Sequence, residues 1–347
     1  YSESAMKLYE MLLSHMVDFS VSEDQFNAIK DKIVRDYQNF SLSDAHQQTR
    51  DIGTTIFNHV KYSWKESLPV AQAATLTEIQ DYGKVLYKKS FLEGLVYGDF
   101  KELDARRALR VFNEKTKTKG INRKDAFDLK YLDQSQYEEI QYVGKLSVNN
   151  SCFYREYVLG EDSPELRATS MIISQALQQP FFTEMRTNQQ LGYIVWSYQN
   201  NRDETLYLTF VIQSGEFTAD DVNQRADDFI ASTPEFLASM DAKTFQQLKD
   251  SAIEQLEKKP MSIRERANKL KTFIFEHDAD FQRDDKTIAA LETLDQAAAV
   301  DLLSKTVSKE TRRMMNCLMF AEQHDNSSGA KSSFDDVNTW KASRIYK

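Results

Sequence analysis

Apolar residues recur at three- and four-residue steps through Phe26, Ile29, Ile33 and Val34, and again through Phe245, Leu248, Ala252 and Ile253. That spacing makes one stripe of a helix apolar, and each run follows Ser or Asp residues suited to capping one. Elsewhere β-branched and aromatic runs predict strands at 91–97, 142–148, 152–159, 193–198, 205–212 and 313–320. The polar stretch 199–204 turns two of these into a hairpin. Just before that hairpin, residues 181–191 have helical composition, and Gly192 reads as a left-handed C-terminal stop. Helix, tight turn and strand in that order bring Arg186 and Tyr193 to one end of a sheet, where a cation and a phenol can face a single carbonyl.

The pattern repeats. Phe245, Lys249 and Asp250 follow Phe26, Lys30 and Asp31 by 219 positions (26 to 245), Ser239 follows Ser20 at the same offset, and Ile274-Phe275-Glu276-His277 echoes Ile56-Phe57-Asn58-His59 at 218 (56 to 274). Thr293-Leu294 echoes Thr75-Leu76 in the same register. Two copies of one α+β domain account for this, each expected as a mainly antiparallel sheet with helices packed on one face. The first copy has no counterpart to the opening strands of the second. It therefore reads as truncated at its N-terminus, with roughly ninety residues expected upstream. The expected division is 1–118 for the first repeat, 119–124 for a polar, basic connector, 125–322 for the second repeat, and 323–347 for a polar loop and docked tail carrying Phe334, Val337 and Trp340.

Composition narrows the function. The chain has 347 residues, 41% of them hydrophobic and 28% charged, enough for two domains with buried cores, and its five prolines and ten glycines favour long helices. A net charge of −9 gives no footprint for nucleic acid or an anionic membrane, and no run of apolar residues is long enough to span a bilayer. Cys152 and Cys317 lack C-x-x-C spacing and read as two buried free thiols. There is no G-x-G, no G-x-S-x-G and no phosphate loop. Phe181, Phe182, Trp196 and Tyr198 are aromatic enough for a peptide cavity, although such residues more often fill a core.

Phe182, Arg186, Thr187, Gln190, Leu191, Gly192 and Tyr193 together form Phe-x-x-x-Arg-Thr-x-x-Gln-Leu-Gly-Tyr, which closely resembles the C-terminal half of the insulinase/pitrilysin family of zinc metallopeptidases. The resemblance continues through residues 210–214, Phe245 and 256–260, and covers most of 1–322. It implies a metallopeptidase-family α+β fold and a parent chain whose two halves close on a peptide. The first half would carry zinc, and the second would supply Arg186 and Tyr193 to the substrate, with Phe182 beside them. The family marks its catalytic half with H-x-x-E-H, and none of His15, His46, His59, His277 and His324 begins such a motif.

The resemblance thus implies the non-catalytic half of a zinc endopeptidase. Arg186 and Tyr193 would assist catalysis and bind substrate, the chain itself would hold no metal or other cofactor, and zinc would sit in the parent. Its partners would be the N-terminal catalytic half and peptide substrates, with no nucleic acid and no membrane. The compartment would be periplasmic for a bacterial pitrilysin-like parent and cytoplasmic otherwise. The alternative is a catalytically inactive peptidase-fold subunit that binds peptides or serves assembly. Gln189 stands where relatives often carry an acid, which changes local charge only.

Overall fold

A computed structural model describes residues 2–135 and 138–347. Helices α1 (Ser2–Val17), α2 (Glu23–Phe40), α3 (Ala45–Phe57), α4 (Trp64–Ala73) and α5 (Leu76–Leu86) open the chain. The short strands β1 (Lys89–Ser90) and β2 (Lys119–Gly120) flank α6 (Glu102–Thr116). Strands β3 (Glu139–Lys145) and β4 (Ser151–Glu161) precede α7 (Pro164–Phe182), a π-helical turn (Thr183–Asn188), and the hairpin of β5 (Ile194–Arg202) and β6 (Thr205–Ser214). Helices α8 (Ala219–Ser239), α9 (Ala242–Glu257), α10 (Ile263–Glu276), α11 (Arg283–Thr293) and α12 (Gln296–Val307) lead to β7 (Met314–Phe320) and α13 (Val337–Ala342).

Two compact units emerge, and neither is continuous in sequence. One comprises 1–38, 64–128 and 260–279; the other comprises 39–63, 129–259 and 280–347. Helix α3, expected in the first repeat, thus lies in the second unit, and α10, expected in the second repeat, lies in the first unit. Lys30 and Lys249, which the expected repeat sets at equivalent positions, make alike contacts. Lys30 on α2 donates from Nζ to the Ala74 carbonyl at the end of α4 (2.8 Å), and Lys249 on α9 donates to the Glu292 and Leu294 carbonyls at the end of α11 (3.0 and 2.9 Å).

In the first unit, 91–97 is not a strand. The strand β1 ends just before it, paired in parallel with β2, while Leu92, Val96 and Tyr97 are exposed. A run of strand-forming residues without a neighbour to complete its hydrogen-bond ladder stays irregular. The stretch 119–124 lies within this unit: β2 pairs with β1, and Arg123 forms ion pairs with Glu93 and Asp278 (2.9 and 2.8 Å).

The second unit is built on a five-stranded sheet of order β3-β7-β4-β6-β5. Three of its four pairings are antiparallel, and β3–β7 is parallel, so the sheet is mixed. Helices cover both faces rather than one. Phe153, Tyr157, Leu208, Phe210 and Ile212 pack with residues of α7, α8, α9, α11 and α12, while Tyr154, Tyr207, Val211, Met315 and Cys317 pack with Ile56 and Phe57 of α3 and Trp340 of α13. The reason lies in the strands. β7 is buried at every position and β4 at all but its last two, so each needs two covers, as sheets with near-continuous apolar strands do.

Both edges of that sheet receive hydrogen bonds from outside it. The Ser333 N–H and hydroxyl bond the Gln141 carbonyl and N–H of β3, and Ser332 Oγ accepts from the Val143 N–H. At the other edge, Ser174 of α7 accepts the Gln199 N–H, and Val195 and Ser197 are buried. Such bonds occupy part of each edge ladder, where an open one would invite strand addition. Adjacent residues of β4 carry two buried charges to opposite faces. Arg155 meets Asn316, Asp227 and Asn223, whereas Glu156 accepts from Arg202, Asn200 and Thr209.

Candidate functional site

Ser163 caps α7 by accepting the Leu166 N–H, and Pro164 occupies its first turn, where no intrahelical N–H is needed. At the far end Pro180 again supplies no N–H, and past it the helix opens into the wider turn, with Gln189 N–H bonding the Glu184 carbonyl (3.0 Å) and Leu191 N–H the Met185 carbonyl (2.9 Å). Wide turns of this kind are frequent at functional sites. Met185 is fully buried and anchors the turn, so its neighbour Arg186 faces outward.

The left-handed residue that ends the turn is Gln190 (φ 54°), not Gly192. Glycine is needed at 192 for close approach instead: an ideal Cβ there would lie 1.9 Å from the Gln213 carbonyl oxygen. β5 starts immediately after, and Tyr193 projects from its first corner, 76% exposed. The Arg186 guanidinium lies over the Tyr193 ring at 4.5 Å and over the Phe182 ring at 5.0 Å. The spacing of four residues puts Phe182 and Arg186 on one helix face, and the turn swings Tyr193 onto the other side of the cation. All three residues singled out in the sequence are therefore together.

Among the described residues neither Arg186 nor Tyr193 has an ion-pair partner or a side-chain hydrogen bond, so the guanidinium N–H groups and the phenol are free to donate. The nearby acid is committed elsewhere. Glu184 accepts from Asn188 (2.7 Å) and Gln189 (2.9 Å), and those bonds, Asn188 first, hold its carboxyl below the usual range. Gln189 in turn accepts from Arg225 (3.2 Å), so an amide bridges an acid and a base at the position where an acid was the family expectation. An open groove of about 690 Å³, lined by Pro180, Thr183, Glu184, Asn188, Gln189 and Arg225 among others, runs along this turn.

On the other face of β5, a cluster absent from the sequence reading adjoins the corner. The His46 N–H and Nδ1 both lie 3.0 Å from Gln213 Oε1, and the His46 ring meets Trp196 edge to face at 5.2 Å. Trp196 is 44% exposed, whereas Phe181 is fully buried. No local signal announces a histidine 167 positions from its partner. Among the described residues no group of three His, Cys, Asp or Glu side chains is placed to hold a metal ion, and no helix is long and apolar enough to cross a membrane.

Residues 172–271 match the profile of the PQQ synthase PqqF-like C-terminal lobe domain 4, and residues 1–70 match the middle or third domain of peptidase M16. The chain is 21% identical over 341 residues to insulin-degrading enzyme of Drosophila melanogaster, covering 96% of this chain and 34% of that one. It is 24% identical over 317 residues to the A-factor-processing enzyme of Saccharomyces cerevisiae, covering 89% and 30%. It therefore spans about a third of the length of these curated relatives. Pitrilysin shares its fold with a TM-score of 0.82 at 19% identity, covering 98% of this chain and 37% of that one. A peptidase M16 inactive domain from Pseudomonas fluorescens aligns with a TM-score of 0.59 at 13% identity, covering 85% and 71%. Profiles, relatives and fold agree in one likeness, to a C-terminal part of an insulinase/pitrilysin-family protease.

Proposed function

We propose that this chain is the non-catalytic half of a zinc-dependent endopeptidase, and that Arg186 and Tyr193 bind and polarise the scissile carbonyl of an enclosed peptide. The observation that carries this reading is the 4.5 Å stacking of an otherwise uncommitted guanidinium on an exposed, uncommitted phenol. A surface arginine kept for solubility has no need of two aromatic walls. Held between Phe182 and Tyr193, it has lost rotamer freedom before substrate arrives, and donors fixed in advance are what stabilise a developing oxyanion. Phe182 is partly buried against the core and serves as the rigid wall.

Zinc belongs, on this reading, to an upstream half of the same protein. Among the described residues no group of three His, Cys, Asp or Glu side chains is placed to hold a metal, and none of the proposed chemistry of this chain is routed through one. The two repeats are taken as related domains, the first lacking its opening strands. The alternative of a peptide-binding or assembly subunit draws on the likeness to a structure described as an inactive domain.

Complementation separates the two. The parent protein's upstream half, produced alone, should cleave a fluorogenic peptide poorly, and adding this chain should restore cleavage in a saturable way. No gain on saturation with this chain would leave it as an inactive subunit.

A further inference from the structure

The far end of the sheet, separated from Tyr193 by the whole length of β6, holds a cavity of about 120 Å³ that the peptidase reading does not use. Gln134 lines it and is 5% exposed, yet its amide oxygen and nitrogen are both buried without a hydrogen-bond partner. Arg202, another lining residue, spends Nη2 on Glu156 (2.6 Å) and stacks over Phe57 and Tyr207 (4.3 and 4.8 Å), while its Nη1 is buried and unpaired. Arg313 also lines the cavity, beside Asp133 and Lys347, whose charges are spent on each other (2.9 Å). It donates Nη1 to the Gln134 carbonyl (2.8 Å), and among the described residues no carboxylate pairs with it. Buried polar groups without partners are rare because each forfeits its hydration, so several on one cavity call for an occupant.

The chemistry of the wall selects that occupant. Two guanidinium groups, one without a counter-ion, ask for a carboxylate. The Gln134 amide, whichever way it is turned, offers one acceptor as well as one donor, and an acceptor asks for a cationic or N–H donor. Glu161, Asp203 and Glu204 at the rim are exposed acids that repel a bare or multiply charged anion. A molecule with a carboxylate at one end and an ammonium at the other meets all three conditions. At about 120 Å³ the space is a little smaller than an engineered cavity of ~150 Å³ that takes benzene, which favours a small side chain such as a hydrogen or a methyl group. We infer that the cavity bounded by Gln134, Arg202 and Arg313 is a binding site for a small zwitterionic amino acid, its carboxylate toward the two arginines and its ammonium toward Gln134. The inference stands independently of the peptidase reading.

Titration calorimetry on the intact chain tests this, with glycine, alanine, leucine, acetate and methylammonium as separate probes. Glycine or alanine should bind saturably and raise the melting temperature, acetate and methylammonium should each bind at least tenfold more weakly, and leucine should give no heat. Gln134→Leu removes both unpaired amide atoms at similar volume. It should abolish glycine and alanine binding while the free variant melts no lower than the parent chain. Arg313→Gln, an independent variant, should weaken binding at least tenfold. Absence of saturable heat for both glycine and alanine overturns the proposal, as does unchanged binding in folded Gln134→Leu or Arg313→Gln. Acetate binding as tightly as glycine overturns it in favour of a simple anion site. A crystal structure grown in glycine that shows only discrete waters at Gln134 overturns it in favour of hydration.

Discussion

The carbonyl oxygen of Gln213 occupies the space where a side chain on Gly192 would begin, 1.9 Å from the ideal Cβ position. Backbone of one hairpin strand thus sets the path of the corner leading into the other, and that corner aims Tyr193. Gly192→Ala must push the two strands apart at the corner. Overpacking of this sort costs about 1–3 kcal/mol, and the shift should move Tyr193 off Arg186. Urea denaturation should show a lower midpoint, and a crystal structure a longer guanidinium-to-ring distance. Gln213→Ala in the same background should not rescue stability, because the clash is with main chain. A wild-type midpoint for Gly192→Ala would remove the close approach as the reason for glycine here.

Lys30 and Lys249, 219 positions apart, make alike contacts, each ammonium closing the C-terminal end of a helix by bonding carbonyl oxygen there. Burial differs. Lys249 is 7% exposed and serves two carbonyls, while Lys30 is half-buried and serves one. Lys249→Met keeps the packed stem but strands both carbonyls, so it should cost about 1–3 kcal/mol of unfolding free energy, against less than about 1 kcal/mol for Lys30→Met. Equal effects would mean that the shared geometry, rather than burial, sets the energetics.

Burial pushes the Cys152 thiol up to about 12 and the Cys317 thiol well above its ordinary value. A thiol raised in the folded state is neutral there while the unfolded chain ionises. The resulting stability is complete below the ordinary thiol value of 9.0 and drains away as pH rises from there toward 12. Tyr207, also raised to about 12 by burial, adds a second loss that starts near 10.0. Chemical denaturation between pH 8 and 10 should therefore show falling stability, and the slope below pH 10 should flatten in a Cys152→Ala, Cys317→Ala double variant. Thiol reagents at pH 8 should label neither cysteine until denaturant is added. Rapid labelling of the native chain would contradict the burial of both.

Much of this arrangement was readable from local pattern, and the exceptions share a cause. Strand-forming runs at 152–159, 193–198, 205–212 and 313–320 fall on the sheet to within a residue, and 142–148 overlaps β3, which starts and ends three residues earlier, since apolar content is decided within a few residues. The run at 91–97 has the same content but no partner strand, and ladders are made by neighbours, not by propensity. Burial of β7 at every position carried the news of a second cover, in the apolar sequence of residues 314–320, but not that α3 supplies it. Arg186 and Tyr193 were legible because seven positions connect them through one helix end and one turn. Gln134, Arg202 and Arg313 were not, because three distant segments meet there and each is ordinary alone.

Arg186 and Tyr193 yield the sharpest test of the proposed chemistry, in the parent protein with its catalytic half present. If both donate to one developing oxyanion, Arg186→Ala and Tyr193→Phe should each lower kcat by roughly ten- to a thousandfold, the range for loss of such a donor. Folding and zinc content should be unchanged, since neither side chain ligates a metal and Tyr193 is 76% exposed. The two effects should not multiply. Arg186→Ala removes the cation that lies over the Tyr193 ring, so the phenol loses its positioning as well as its partner donor, and the double variant should fall short of the product of the singles. Arg186→Lys divides charge from shape. An ammonium keeps the charge but lacks the flat face that stacks between Phe182 and Tyr193, so it should recover only a small part of the lost kcat. Full turnover by Tyr193→Phe at saturating substrate would take the phenol out of the chemistry, leaving it as the ring that holds Arg186 in place.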